Sequence, residues 1–271
     1  MSHVCAIYFS PTGTTEKVVT AIAHRIGETL RIPVDTFNFT PKAARESLKT
    51  FTTNHIAVFG MPVIAGRLPN LLLNYLDTIQ GNGALAIPVV LFGNRAYDDA
   101  LMELREIMSR NGFRTIAAAA FVGEHSFSNI LAQGRPDEKD MAIARDFADQ
   151  VAGKIISGAD LTEPVSINGQ LPLRPYYQPR DRAGNPIDIR KVKPHTDRSL
   201  CLDCKICAES CPLGAINHDH VEKITDPCMK CCACIKKCPV GAKYFDDPNF
   251  LYHKLELEQR YTGRSEPELF L

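Results

Sequence analysis

Residues 201–239 read CLDCKICAESCPLGAINHDHVEKITDPCMKCCACIKKCP, and the cysteine spacing of this stretch decides the fold of the C-terminal part of the chain. The pattern C-x2-C-x2-C-x3-C-P occurs twice and uses eight of the ten cysteines in the sequence. The two runs consist of Cys201, Cys204, Cys207 and Cys211, and of Cys228, Cys231, Cys234 and Cys238. Because this spacing ligates [4Fe–4S] clusters in bacterial proteins, the sequence predicts two such clusters.

The proline after each fourth cysteine indicates crossed ligation, because it directs that cysteine to the cluster of the other run. We expect one cluster on Cys201, Cys204, Cys207 and Cys238, and the other on Cys228, Cys231, Cys234 and Cys211. A segment of about 45 residues cannot build a stable core alone, so the metals would supply much of its folding energy. Zinc and disulfides are weaker interpretations, because zinc sites favour separate CxxC pairs and disulfides need an oxidising compartment.

Composition excludes several classes of partner. The 271 residues carry 31 basic and 31 acidic side chains, so no net charge attracts the protein to nucleic acid or to an anionic membrane. The sequence has no run of 18 apolar residues, so no membrane span is predicted. The N-terminus, MSHVCAIYF, lacks a basic region and a cleavage site and has the pattern of a first strand, so a cytoplasmic location is expected.

Apolar runs alternate with amphipathic stretches in the first 160 residues. Strands are predicted at residues 4–9, 33–37, 55–59, 87–92 and 115–122. Helices are predicted at residues 14–30, 43–51, 68–79, 97–111 and 138–157. Five βα units of this kind indicate a doubly wound parallel sheet, which binds ligands beyond the carboxyl ends of its strands.

The turn SPTGTT at residues 10–15 follows the first strand and opens the first helix. Hydroxyl groups and free N–H groups at a helix N-terminus form an anion site, and Gly13 lets the backbone approach the anion closely. The alternative is ordinary capping of the helix by Ser and Thr. The turn matches neither G-x-G-x-x-G nor the Walker A pattern, which disfavours NAD and ATP.

The turn resembles the FMN-phosphate loop of flavodoxins, [S/T]-x-[S/T]-G-x-T. Residues 60–67 (GMPVIAGR) and 93–97 (GNRAY) follow the third and fourth strands, where flavodoxins hold the two faces of the flavin. The cysteine runs look like those of a bacterial two-cluster ferredoxin. Over nearly its whole length, the chain therefore resembles the flavodoxin–ferredoxin fusion proteins of anaerobes. The resemblance implies a flavodoxin-like α/β domain with a five-stranded parallel sheet, followed by a small α+β two-cluster ferredoxin domain.

The resemblance also implies one FMN and two [4Fe–4S] clusters. It places the phosphate on Ser10, Thr12, Gly13, Thr14 and Thr15, one flavin face on Pro62, Val63 and Ile64, and the other face on Asn94, Arg95 and Tyr97. The chain departs from many flavodoxins in two ways. They have a tryptophan in the second loop, where this chain has Ile64, and they surround the flavin with acidic residues, whereas the third loop here carries Arg95. Arg95 either lies near the flavin, where it would favour the reduced anion, or pairs with Asp98 or Asp99 at the surface.

We expect four parts: a flavodoxin-like domain (1–160), a proline-rich linker packed on its surface (161–199), the ferredoxin domain (200–245), and a C-terminal helix and docking tail (246–271). The linker holds six prolines, and a flexible tether is its alternative interpretation. A helix is predicted at residues 249–261. His125 is interpreted as a solvated loop residue, with contact to flavin or a partner as the alternative, and Cys5 and Cys232 as packing residues.

These expectations favour intramolecular electron transfer. The chain would pass electrons between FMN and the two clusters and so adapt one-electron carriers to two-electron chemistry, with soluble redox proteins as partners. The alternative is an FMN-dependent reductase of a quinone or nitro compound, supplied with electrons through the clusters. A redox or iron sensor is a third possibility. The sequence contains no acid–base or nucleophile constellation that would favour the reductase, and no DNA-binding element that would favour the sensor.

Overall fold

The computed structural model describes residues 1–225 and 227–271. Its central sheet contains β1 (His3–Tyr8), β2 (Val34–Asn38), β3 (His55–Pro62), β4 (Leu85–Phe92), β5 (Arg114–Thr115) and β6 (Ala118–Val122). The parallel strands follow the order β2-β1-β3-β4-β6, and the two-residue β5 pairs with β4 ahead of β6. When β5 and β6 are counted as one fifth strand, this is the flavodoxin-like order 2-1-3-4-5. The predicted fold class is therefore confirmed.

Helices cover both faces of the sheet and bury two separate cores. They are α1 (Thr14–Leu30), α2 (Leu73–Leu76), α3 (Ala100–Arg110) and α4 (Glu138–Ile156). On α1, Val18, Ile22 and Ile26 are buried at a spacing of four residues, so one apolar stripe faces the sheet beside α4. The other core lies under α2 and α3 and includes Phe9 and Phe39.

Two of the predicted helices are wrong. Residues 43–51 form only a 3-10 turn at Lys42–Arg45. The backbone after that turn is extended instead, because Phe51 N–H donates to Gln80 and Gln80 N–H donates to Lys49. The helix predicted at residues 68–79 is reduced to a 3-10 turn at Asn70–Leu72, preceded by Pro69, and the single turn of α2.

The cysteine-rich part folds into two loops with the same backbone conformation. It contains β7 (His195–Thr196), α5 (Ile206–Glu209), α6 (Ala233–Lys236) and β8 (Lys243–Tyr244), with β7 antiparallel to β8. Asp203 and Lys205 in the first loop have φ of 55° and 63°, and the equivalent Lys230 and Cys232 in the second have 57° and 59°. The two loops thus turn in the same way between equivalent cysteines.

The C-terminal segment returns to the central sheet. Helix α7 (Pro248–Arg260) is capped by the Asp247 carboxylate, with Pro248 at its first position. The chain then forms β9 (Glu268–Phe270), which pairs antiparallel to β6 at the sheet edge. The predicted apolar docking tail is therefore an additional strand, which the sequence did not predict.

Residues 165–177 of the proline-rich segment lie against the flavodoxin-like domain. Asp99 is fully buried and accepts hydrogen bonds from Gln170 N (3.2 Å), Arg174 N (2.7 Å) and Arg174 Nε (2.8 Å). Further along, the Tyr176 hydroxyl donates to the Leu68 carbonyl at 2.8 Å. These bonds hold this part of the segment at the start of α3 and beside the loop after β3.

The cysteine-rich part contacts the carboxyl-end loops of the sheet on both sides. Arg45, after β2, donates through Nη2 to the Pro212 carbonyl. Lys236 Nζ donates to Glu124 Oε1 at 2.6 Å, in the loop after β6. No helix in residues 1–225 or 227–271 is long and apolar enough to cross a membrane.

Candidate functional site

The loop at residues 10–15 has the features of an anion-binding turn. Gly13 adopts φ 90° at the N-cap of α1, which carries no side-chain cap, and a Cβ at Gly13 would meet nothing within 4 Å. The Ser10 side chain is engaged inside the loop, since its Oγ accepts from Glu16 N at 3.0 Å. Thr12 and Thr14 are half-buried and Thr15 is buried. Gly13 N–H donates to the Ser10 carbonyl at 3.4 Å, so the N–H groups that would fit a phosphate are those of Thr14 and Thr15, while Ser10 holds the turn in shape.

The loop after β3 forms a tight turn beside the linker. Ile64 and Arg67 exchange backbone hydrogen bonds of 2.9 and 3.1 Å, and the Ala65 carbonyl accepts from Tyr177 N at 2.8 Å. Pro62, Val63 and Ile64 are half-buried. Their assignment to a flavin face stays a prediction.

In the loop after β4, the C-terminal tail engages two side chains that were predicted to line the flavin. The Asn94 amide donates to the carbonyls of Tyr261 and Gly263, both at 2.7 Å, and its oxygen accepts from Ser265 N at 3.1 Å. The Tyr97 hydroxyl donates to Glu268 at 2.5 Å, and burial together with this bond raises the Tyr97 pKa. The amide of Asn94 and the hydroxyl of Tyr97 therefore serve the tail, so their contribution to a flavin site would come from the backbone and the ring.

Arg95 pairs with Asp98, as the alternative interpretation of its role predicts. Its guanidinium forms an ion pair with Asp98 and lies 4.3 Å from the centre of the Tyr177 ring. The pair is largely buried under the linker rather than exposed. The charge of Arg95 is therefore matched by a carboxylate, which weakens the expectation that it acts on a flavin.

His125 differs from its prediction as a solvated residue. It is half-buried against Gly93, where a Cβ would lie 2.4 Å from its ring, and it packs edge-on to Phe127. Burial lowers the His125 pKa to about 4, with a further contribution from nearby His253. Cys5 is buried in a strand as expected, and burial raises its pKa to about 11.

The eight cysteines of the two runs line two cavities, and each cavity takes three cysteines from one run and one from the other. The inner cavity is lined by Cys211, Cys228, Cys231 and Cys234, and the outer cavity by Cys201, Cys204, Cys207 and Cys238. These sets equal the two sets that crossed ligation predicts. Backbone N–H groups donate to Cys211, Cys228 and Cys238 sulfurs at 3.4, 3.4 and 3.2 Å, as is usual around cluster thiolates.

Cys232 also borders the inner cavity but lies outside the predicted ligand set. The Cys232 Sγ lies 3.5 Å from the Lys230 carbonyl, and the side chain packs with Phe245 and Phe250. This environment fits a packing residue.

Each cavity offers four thiols around an open volume, a donor set that suits a [4Fe–4S] cluster. A tetrahedral zinc ion with Zn–S bonds of 2.3 Å would instead need its sulfurs within about 4 Å of one another. No group of three His, Cys, Asp or Glu in residues 1–225 and 227–271 is arranged to hold one ion.

The inner cavity adjoins the flavodoxin-like domain. Met229, from its wall, is buried in the core that contains Phe9, and Leu213 and Cys231 pack on the same core as Val63. Among the described residues, those that line the outer cavity all belong to the cysteine-rich part, and Leu202 on its rim is 67% exposed. One cysteine set thus lies against the core of the flavodoxin-like domain, and the other has an exposed rim.

Residues 194–217, which contain the first cysteine run, match the family described as 4Fe-4S binding domain. The chain joins a flavodoxin-like domain to a 4Fe–4S binding domain. The matched residues include only the first run, so the second cluster stays a prediction. Comparison with curated protein sequences gives no match.

Solved flavodoxins are similar to the N-terminal part of the chain. One from the domain Archaea is 14% identical, with a TM-score of 0.41 over 58% of this chain and 99% of its own. Oxidised flavodoxin 2 from Bacillus cereus is 15% identical, with a TM-score of 0.44 over 57% and 99%. A Fusobacterium nucleatum flavodoxin bound to flavin mononucleotide is 15% identical, with a TM-score of 0.39 over 59% and 100%.

Three residues that hold the linker and the cysteine-rich part on the flavodoxin-like domain were not predicted. Arg45, Lys236 and Asp99 each bond a partner at least 75 positions away in the chain. A charged residue in a loop carries no local signal of such a partner. Only Lys236 has a positional hint, because it lies between two cysteines of the second run.

Proposed function

We propose that this protein is an electron-transfer iron–sulfur flavoprotein, which connects one-electron carriers to two-electron chemistry within one chain. When bound, each [4Fe–4S] cluster exchanges one electron and FMN exchanges one or two, while the protein fixes their positions and potentials. The cysteines of the inner and outer cavities would each hold one cluster. The loop around Gly13 would hold the FMN phosphate.

The position of the inner cavity carries this proposal. Its wall residues Leu213 and Cys231 share an apolar core with Val63, in a loop predicted to hold the flavin. If both cofactors bind as proposed, this apolar packing would exclude water between them and keep their separation constant. The exposed rim of the outer cavity, which includes Leu202, leaves that end accessible to a soluble redox protein.

The domain contacts support a fixed arrangement. Lys236 bridges to Glu124 and Asn129 after β6, and Arg45 bridges to Pro212 from the other side of the sheet. A reductase of small molecules needs an open flavin face, and these contacts hold the cysteine-rich part at the edge of the sheet where that face would lie. We therefore favour electron transfer between proteins over reduction of a quinone or nitro compound.

Cofactor analysis of anaerobically purified protein tests the proposal. We expect about eight irons, about eight acid-labile sulfides and one FMN per chain. Cys211→Ser should reduce the iron content and weaken the EPR signal of the inner cluster, whereas the matched Cys232→Ser should keep both clusters. One tightly bound zinc per run, FAD in place of FMN, or loss of the outer signal in Cys211→Ser would contradict it.

A further inference from the structure

Lys243 is a buried lysine on the wall of the outer cavity. It is 3% exposed, lies in β8, and lines the cavity together with Cys207 and Cys238. Its ammonium donates to the main-chain carbonyl of Val221. Among residues 1–225 and 227–271, no carboxylate forms an ion pair with it.

An ammonium in this position is costly without a negative counterpart. It has three donors, and burial without matching acceptors or an opposite charge costs several kcal/mol. The single carbonyl of Val221 satisfies one donor. The other two donors and the positive charge are compensated if the cavity beside the ammonium contains negative charge.

The second cysteine run differs from the first at this position. The sequences after the fourth cysteines are CPLGAI at residues 211–216 and CPVGAK at residues 238–243. Lys243 is therefore equivalent to Ile216, which is buried in the wall of the inner cavity. The same backbone thus places an apolar side chain at one cavity and a cation at the other.

Lys205, also on the wall of the outer cavity, provides a comparison. Its Nζ lies 2.9 Å from each carboxylate oxygen of Asp203, so its charge is matched locally. An unmatched, buried charge acts far more strongly on a neighbouring centre than a paired one does.

We propose that Lys243 is the counter-ion of the outer cluster and raises its reduction potential. The inference rests on the proposed function. A cluster ligated by four thiolates is anionic, and reduction adds one electron and one negative charge without breaking a bond or moving a proton. A fixed cation therefore stabilises the reduced form more than the oxidised form.

Anaerobic redox titration of the whole protein, followed by EPR, tests the inference. Lys243→Gln keeps a donor for Val221 and removes the charge. It should shift the outer cluster's reduction equilibrium about tenfold toward the oxidised form. This corresponds to a reduction potential about 59 mV lower. The potential of the inner cluster should change less. The matched Lys205→Gln should shift it less than threefold.

An unchanged outer potential in Lys243→Gln with full iron content would overturn the inference, as would an equal shift in Lys205→Gln. If Lys243→Gln does not assemble the outer cluster, the test is the potential of the inner cluster in Ile216→Lys. A raised inner potential in that variant supports the inference, and an unchanged one refutes it. Wild-type protein without two clusters would instead refute the proposed function.

Discussion

Replacing Asp99 by Asn should release residues 165–177 from the flavodoxin-like domain. The buried carboxylate forms a bidentate ion pair with Arg174 and also accepts two backbone hydrogen bonds from the same segment. These contacts, of which the Arg174 side chain is the largest, lower the Asp99 pKa from 3.8 to about 2. The carboxylate is therefore charged in the folded protein at neutral pH.

The pKa shift gives the magnitude of the effect. Asn has the shape of a protonated Asp, so the substitution removes the preference for the charged form, which is 1.8 pKa units. At 1.36 kcal/mol per unit, this is about 2.4 kcal/mol, or roughly 60-fold in the opening equilibrium of the segment. Since Arg174 is 48% exposed, solvent screening makes this an upper value, and we expect about 10- to 60-fold.

Limited chymotrypsin digestion at neutral pH, with the clusters intact, measures this opening. Cleavage after Tyr176 requires the segment to leave the domain, because the Tyr176 hydroxyl donates to the Leu68 carbonyl at 2.8 Å, so the cleavage rate follows the open population when reclosing is fast. Asp188→Asn is the matched control, because Asp188 pairs with Arg190 at an exposed site of the same linker. Equal cleavage rates in Asp99→Asn and wild type would refute the packed linker and favour a flexible tether.

Two further predictions concern Lys236 and His253. Lys236→Met should cost about 2 kcal/mol in domain docking, because it leaves the partly buried Glu124 unpaired. Hydrogen exchange of the loop after β6 should then accelerate at least tenfold. Lys237→Met, at an exposed position, is the control, and equal exchange in both variants would show that Lys236 does not hold the domains. Burial and the Arg95 guanidinium lower the His253 pKa from 6.5 to about 4, so the unfolded state binds the proton first and stability should fall as the pH drops from about 6.5 toward 4. His253 should account for about 1.4 kcal/mol of the loss at pH 5.5, and His125, whose pKa is also lowered to about 4, for a similar part. In thermal denaturation at pH 7.0 and 5.5, His253→Phe should therefore lose about half as much stability as wild type; an equal loss in the two proteins would assign the pH dependence to other groups.

The main features of the fold could be read from local patterns. Helix α1 matches its predicted bounds because Val18, Ile22 and Ile26 form an uninterrupted apolar stripe after a glycine turn. The helix predicted at residues 43–51 failed because a backbone pairing with Gln80 competes with it, and no local pattern reveals that pairing. Strand β9 was missed for the same reason, since its partner β6 lies some 150 positions earlier.

The candidate sites, like the fold, contain parts that a local pattern predicts and parts that depend on distant residues. Cysteine spacing is a local signal, and it predicted the membership of both cavities before their geometry was known. The side chains of Asn94 and Tyr97 were predicted from loop position alone. Their bonds to Ser265 and Glu268 depend on a tail 171 positions away, which no loop motif encodes.

The rate of cluster-to-flavin transfer tests the central claim most directly. In anaerobic stopped-flow mixing with a limiting low-potential donor, the clusters should be reduced first and the flavin absorbance should then change with a single rate constant. If the domains are fixed as Lys236, Arg45 and Asp99 indicate, this rate constant should stay the same over a tenfold range of protein concentration. A rate that rises in proportion to protein concentration would mean that electrons pass between molecules, and it would contradict the proposed intramolecular route.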